Sequence, residues 1–224
     1  MTARVLSLNL GDREPNRAGD AKPSVTGICK QPVHEAEVRA PGPKVHGLGS
    51  GLVGDFIGDL VHHGGDDQAV YAFAREELDY WSDRLGRTIE SGEFGENLTL
   101  EGLDVDGSRI GDRWTVGDEV VLEVTGPRTP CSTFATAMGI KGWVKTFTER
   151  GRTGAYLAIV AGGVVRSGDA VELTHRAAHD ITVPMTFRAF MGDLESARVV
   201  LDAEVLSESD QAQLAGIVAR RSSS

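Results

Sequence analysis

Gly-Asp pairs constrain this chain more than any other feature. Gly54-Asp55, Gly58-Asp59, Gly111-Asp112, Gly117-Asp118 and Gly168-Asp169 recur through it. Glycine reaches positive φ without steric cost and aspartate hydrogen-bonds its own backbone, so each pair marks a turn. Between the turns lie short β-type runs at 4–10, 24–29, 35–39, 97–101, 120–125, 156–160 and 171–173. Many short runs with close turn signals predict a mainly β domain, a barrel or a sandwich.

Two helices interrupt the series. Ala74, Leu78, Trp81 and Leu85 fall on one helical face over 74–85, and 142–150 reads as a shorter helix. After about Arg176 the pattern changes. Pro184 stands near a helix start, Asp193 is placed to cap a second helix, and Ser207 opens a third with Asp210 three residues on. The expected organisation is a β domain over 1–176 and a three-helix unit over 177–224, with 220–224 frayed. The tail carries no ionic or catalytic signature. It reads as a packing surface, within the chain or in a homodimer.

With 224 residues, 40% of them hydrophobic, the chain can bury a real core. A net charge of -10 argues against binding nucleic acid or an anionic membrane over the whole surface, so neither is an expected partner. No apolar run reaches the ~18 residues of a membrane span, and the first residues lack the apolar stretch of a signal peptide. A cytoplasmic chain is expected, with Cys29 and Cys131 both reduced.

Four segments carry candidate chemistry. Pro127-Arg128-Thr129-Pro130-Cys131 follows a strong strand; two prolines stiffen the loop, and Arg128 is placed to stabilise a thiolate on what reads as an exposed turn. The bland alternative is a cysteine packed at a strand end. Asp59-Leu60-Val61-His62-His63-Gly64-Gly65-Asp66 pairs two histidines with two glycines that let backbone approach an anion. Neighbouring side chains in a strand face opposite ways, which argues against both histidines serving one site. Phe94-Gly95-Glu96-Asn97 places an amide that can read a heterocycle edge or simply close a turn. Lys30, in Gly27-Ile28-Cys29-Lys30-Gln31-Pro32-Val33, is an anion contact or a solvated lysine. No Gly-x-Gly-x-x-Gly stands between a strand and a helix, the string from Gly47 to Gly51 lacking that context, and there is no P-loop, four-cysteine cluster set or Gly-x-Ser-x-Gly.

Taken in order, these segments resemble the MOSC family, named for the C-terminal domain of molybdenum cofactor sulfurases. The likeness also takes in Gly54-Asp55, Ala69-Val70-Tyr71 and Ile110-Gly111-Asp112 and covers nearly the whole chain. The tail is similar to the three-helix domain of stand-alone bacterial members. The resemblance implies a MOSC-type β-barrel and a molybdopterin-type molybdenum cofactor, with Cys131 as the molybdenum ligand. It also implies reduction of small N-hydroxylated compounds such as hydroxylaminopurines. Lys30, His63, Gly64, Gly65, Asn97, Arg128 and Cys131 would hold the cofactor, and His62 or His63 would supply a proton. No flavin or haem motif is present and pyridoxal phosphate is not expected, so electrons would come from a partner reductase. Ser132-Thr133-Phe134 lacks the aromatic that often follows the cysteine directly, which bears on pocket shape. A second reading is a carrier, with Cys131 holding sulfur as a persulfide or holding cofactor for delivery.

Overall fold

The computed structural model describes residues 2–17 and 24–222. The first half contains β1 (Arg4–Gly11), β2 (Glu14–Pro15), β3 (Val25–Thr26), β4 (Lys30–Val33), β5 (Glu35–Val38), β6 (Val70–Ala74), α1 (Arg75–Leu85) and β7 (Leu98–Glu101). Next come β8 (Arg113–Val116), β9 (Val120–Pro127), α2 (Ser132–Met138), α3 (Trp143–Arg150), β10 (Ala155–Ala161), β11 (Gly163–Arg166) and β12 (Val171–His175). The tail is α4 (Val183–Phe190), α5 (Leu194–Ala203) and α6 (Glu208–Ser222).

The main sheet has eight strands in the order β12-β8-β9-β10-β6-β7-β1-β4. All neighbours are antiparallel except β6 and β7. The expected barrel is a loose one, because the ladder does not close. Instead, the start of β1 meets the approach to β12 through one bridge, Arg4 to Ala170. Three backbone bonds stitch the seam: Val5 N–H to Asp169 O (2.9 Å), Val171 N–H to Ala3 O (2.9 Å) and Gly168 N–H to Val5 O (2.8 Å). The Gly168-Asp169 turn thus serves curvature as well as reversal.

β6 escapes a reading by alternation because all five of its residues are buried. A strand covered on both faces loses the period of two. α1 begins at Arg75 and ends at Gly86 in the left-handed conformation, as its apolar spacing predicts. Its buried face, Leu78 and Trp81, joins Phe94, Phe134, Trp143 and Phe147 in an aromatic cluster. Trp81 and Trp143 lie edge to face with centroids 4.8 Å apart. Each such ring contributes roughly 1.5–3 kcal/mol through burial.

The caps in the tail form. Thr182 accepts the Met185 N–H before α4, and Asp193 accepts the Ser196 N–H before α5. Ser207 Oγ accepts the Asp210 N–H at 3.4 Å. α6 runs on through Arg220 and Arg221, a correction to the frayed end expected there; residues 223 and 224 lie outside the described set. Val183, Ala197, Val200 and Leu214 of the tail share one apolar core with Val5, Leu122 and Val124 of the sheet. Among the described residues no helix is long and apolar enough to cross a membrane.

Candidate functional site

β9 delivers the chain to the site. It ends at Pro127, and residues 128–130 lead directly into α2. Cys131 is therefore not on an exposed turn; it is half-buried, in extended conformation (φ −120°, ψ 171°), at the N-terminal boundary of α2. The sequence gives little sign of that seven-residue helix, whose threonines and alanines carry no strong apolar stripe.

Arg128 is only 5% exposed. Its guanidinium lies 4.4 Å from the Phe134 ring centroid and 5.4 Å from that of Tyr71. Among the described residues its Nη1 has no hydrogen-bond partner and no carboxylate pairs with it. A buried cation of this kind calls for an anion. The chain supplies one candidate. Burial would raise the Cys131 thiol, but the hydrogen-bonding interaction with His63 and then the Arg128 charge outweigh it. Together they bring the group from its ordinary 9.0 down to about 6, so the thiolate dominates at neutral pH. Cys29 goes the other way: burial first, then Glu14, pushes it to about 11.

Cys131 and Arg128 line a cavity of about 100 Å³. His63, Gly64, Lys30 and Asn97 line it too. Gly64 has φ +81°, and a Cβ there would stand 2.7 Å from Gly49 O, so backbone closeness requires glycine. Gly65 stands behind the wall, not on it; its Cβ would strike the Lys44 backbone at 2.8 Å. His62 also lies off this cavity. Its side chain is 73% exposed and its Nδ1 is 2.8 Å from Asp59 Oδ2.

Asp55 is a residue that the sequence reading places in a turn pair and in the family pattern but gives no role at the site. Its carboxylate has a 1% exposed side chain and forms an ion pair with Lys30. Its Oδ1 also accepts the Gly11 N–H (2.7 Å), and its Oδ2 accepts from Ser50 Oγ (2.7 Å) and Asn97 Nδ2 (3.0 Å). Lys30 thus brings a neutralised charge to the cavity. Asn97 is similarly committed: Nδ2 also donates to Asn9 O (3.3 Å), and Oδ1 accepts the Tyr71 N–H (3.2 Å). What it can still offer a ligand is one lone pair on Oδ1. Buried Glu96 shapes the preceding loop by accepting the N–H groups of Gly92 (2.6 Å) and Phe94 (3.1 Å). Tyr71 and Tyr156 complete the wall around Arg128; only their residue type could have pointed to them.

A second chamber, about 490 Å³, also reaches Cys131. It shares Asp59, His63, Gln68, Cys131, Thr133 and Tyr156 with the first. Phe190 of α4 and Asp210 and Gln213 of α6 form its far wall.

The MOSC domain model matches residues 59–172, a span that runs from Asp59 through Cys131 to β12. The chain belongs to the MOSC family. This MOSC chain is 36% identical over 208 residues to the uncharacterized protein YflK of Bacillus subtilis (strain 168), covering 92% of this chain and 90% of that protein. It is 30% identical over 121 residues to a protein named "Reductase" from Gibberella moniliformis, covering 51% of this chain and 21% of the fungal protein. The crystal structure of YiiM from Geobacillus stearothermophilus superposes with a TM-score of 0.74 at 25% identity, covering 96% of this chain and 99% of that one. The likeness to that structure thus extends into the helical tail, beyond the span of the domain model.

Proposed function

We propose that this chain is a molybdenum-cofactor-dependent reductase of N-hydroxylated compounds, with the Cys131 thiolate as the protein ligand to molybdenum. The observation that carries the reading is a low-pKa cysteine beside a buried arginine whose Nη1 is unpartnered among the described residues, both on the wall of one cavity.

The residues fit the group. A thiolate is a soft ligand for a transition metal. Among the described residues no cluster of three or more His, Cys, Asp or Glu is arranged to hold a metal ion, so other ligands would come with a cofactor. Arg128 Nη1 offers an unused donor to an anionic cofactor, and Gly64 lets its backbone come close. Lys30 and Asn97, fixed by Asp55, line the same cavity.

Bound molybdenum would supply two-electron exchange, fed by a partner reductase. The net change is R–NHOH plus two electrons and two protons giving R–NH2 and water, with the N–O bond broken. His63, which lines both chambers beside the thiol, is placed to hold and deliver a proton to the departing oxygen. His62 lies off the cofactor cavity and is held by Asp59. A small N-hydroxylated base is the expected substrate, in a reducing cytoplasm that keeps the two free cysteines as thiols.

The same reactive thiol suits the second reading, a carrier holding sulfur as a Cys131 persulfide. An assay of molybdenum-loaded protein on 6-hydroxylaminopurine with a reductase pair separates them. Reduction that is lost in Cys131→Ala supports the reductase. A trapped persulfide on metal-free protein, with no reduction by loaded protein, supports the carrier.

A further inference from the structure

We infer that the chamber between Cys131 and the helical tail admits the substrate, and that Asp67 and Asp210 on its walls select neutral or cationic N-hydroxylated compounds over phosphorylated or carboxylated ones. The inference rests on the reductase reading above and assigns its substrate class.

The two chambers meet at Cys131 but differ in charge. The first presents Arg128, whose Nη1 is unpartnered among the described residues, so an anionic cofactor is favoured there. The second presents Asp67 and Asp210, which do not line the first, together with Asp59, which lines both. Lys44 lines the same chamber and keeps its charge, its Nζ donating to the His62 carbonyl at 3.4 Å, but the three carboxylates outnumber it. An anion entering this side meets repulsion, whereas a free base, nucleoside or amidine does not.

The acidic walls are held in place. Thr125 Oγ1 donates to Asp67 O at 2.6 Å, tying the 66–68 turn to β9. Gln211 Nε2 donates to Leu201 O at 2.9 Å, tying α6 to α5 beside Asp210. The two carboxylates sense each other, since burial and then Asp67 push the Asp210 carboxyl up. Gln68 stands at the junction of the chambers, and its Oε1 has no partner among the described residues. It is an acceptor for an amino or hydroxylamino N–H. Phe190 adds an apolar face for a ring. On this account the helical tail is part of the substrate wall as well as a packing element.

The test compares 6-hydroxylaminopurine with its ribonucleoside 5′-monophosphate on loaded, full-length protein. Wild type is expected to favour the base in kcat/KM by about tenfold, and Asp67→Asn/Asp210→Asn to narrow the gap by a similar factor, as does added salt. A second readout needs no reductase activity. In the full Cys29→Ser chain without cofactor, Cys131 is modified by cationic and anionic methanethiosulfonates, and the rate ratio should fall about tenfold in the double variant. Asp67→Asn alone, at an exposed position, should give part of that fall if the double variant does not fold. Shifted labelling ratios without any reduction would retain the acidic chamber and sink the reductase reading. Reduction with unchanged substrate preference and unchanged labelling ratios overturns the inference and leaves the reductase standing.

Discussion

The Arg128 guanidinium lies 4.4 Å from the centroid of the Phe134 ring, six residues further along the chain. The aromatic faces of Phe134 and Tyr71 stand where a carboxylate partner would otherwise be, and cation–π attraction leaves the positive charge available. That charge is a principal reason, after His63, that the Cys131 thiol ionises early. Arg128→Ala is therefore expected to raise the Cys131 pKa by about one unit or more. The pH dependence of iodoacetamide labelling in a Cys29→Ser background checks this. In the parent the half-maximal rate should fall at about 6.

His63 and His62 should separate cleanly in the same measurement. His63→Ala is expected to move the labelling midpoint upward, because the largest favourable influence on the thiolate is removed. His62→Ala should leave it in place, since that ring faces Asp59 away from the cofactor cavity. In the reductase assay His63→Ala should cost on the order of a hundredfold in rate, the usual size of a general-acid contribution.

Asp55→Ala should destabilise the whole chain, and more than a surface substitution would. Lys30, 7% exposed, loses its only described ion-pair partner, and the Asn97 and Ser50 contacts go with it. Stranding one member of a buried pair costs about 3–5 kcal/mol. Urea unfolding followed by circular dichroism reads it directly.

Asp106 sets a pH dependence of opposite sign to most carboxylates. Burial raises its pKa to about 6 against the pull of Arg152, and its Oδ1 accepts the Gly154 N–H at 3.1 Å. A raised carboxyl favours folding when protonated. Its contribution is full below the unfolded value of 3.8 and lost as pH rises through about 6. Between pH 5 and 8 the wild type should lose stability that Asp106→Asn does not, by about 1 kcal/mol. Parallel thermal melts of the two proteins at those pH values give the difference.

The legible parts of this molecule are those where the local signal and the tertiary structure agree. The glycine turns at Gly54, Gly111, Gly117 and Gly168, the α1 face and the Asp193 cap all use short-range chemistry and form as expected. β6 was hidden because burial on both sides erases alternation. α2 was hidden by its shortness, so Cys131 read as exposed when it is half-buried. The motif segments do reach one cavity, but their division of labour is a matter of distance. Lys30 and Asn97 are tied to Asp55, and Gly65 backs onto Lys44. None of those pairings lies within a sequence window, and no period or spacing encodes them.

The central claim is that Cys131 holds molybdenum within a bound cofactor. Elemental analysis of full-length protein produced with ample molybdate tests it most directly, with Cys131→Ala prepared in parallel. The account predicts close to one molybdenum per chain in the wild type and its loss, together with reductase activity, in the variant. A wild type free of molybdenum under those conditions, or a Cys131→Ala protein retaining both metal and full activity, would contradict it.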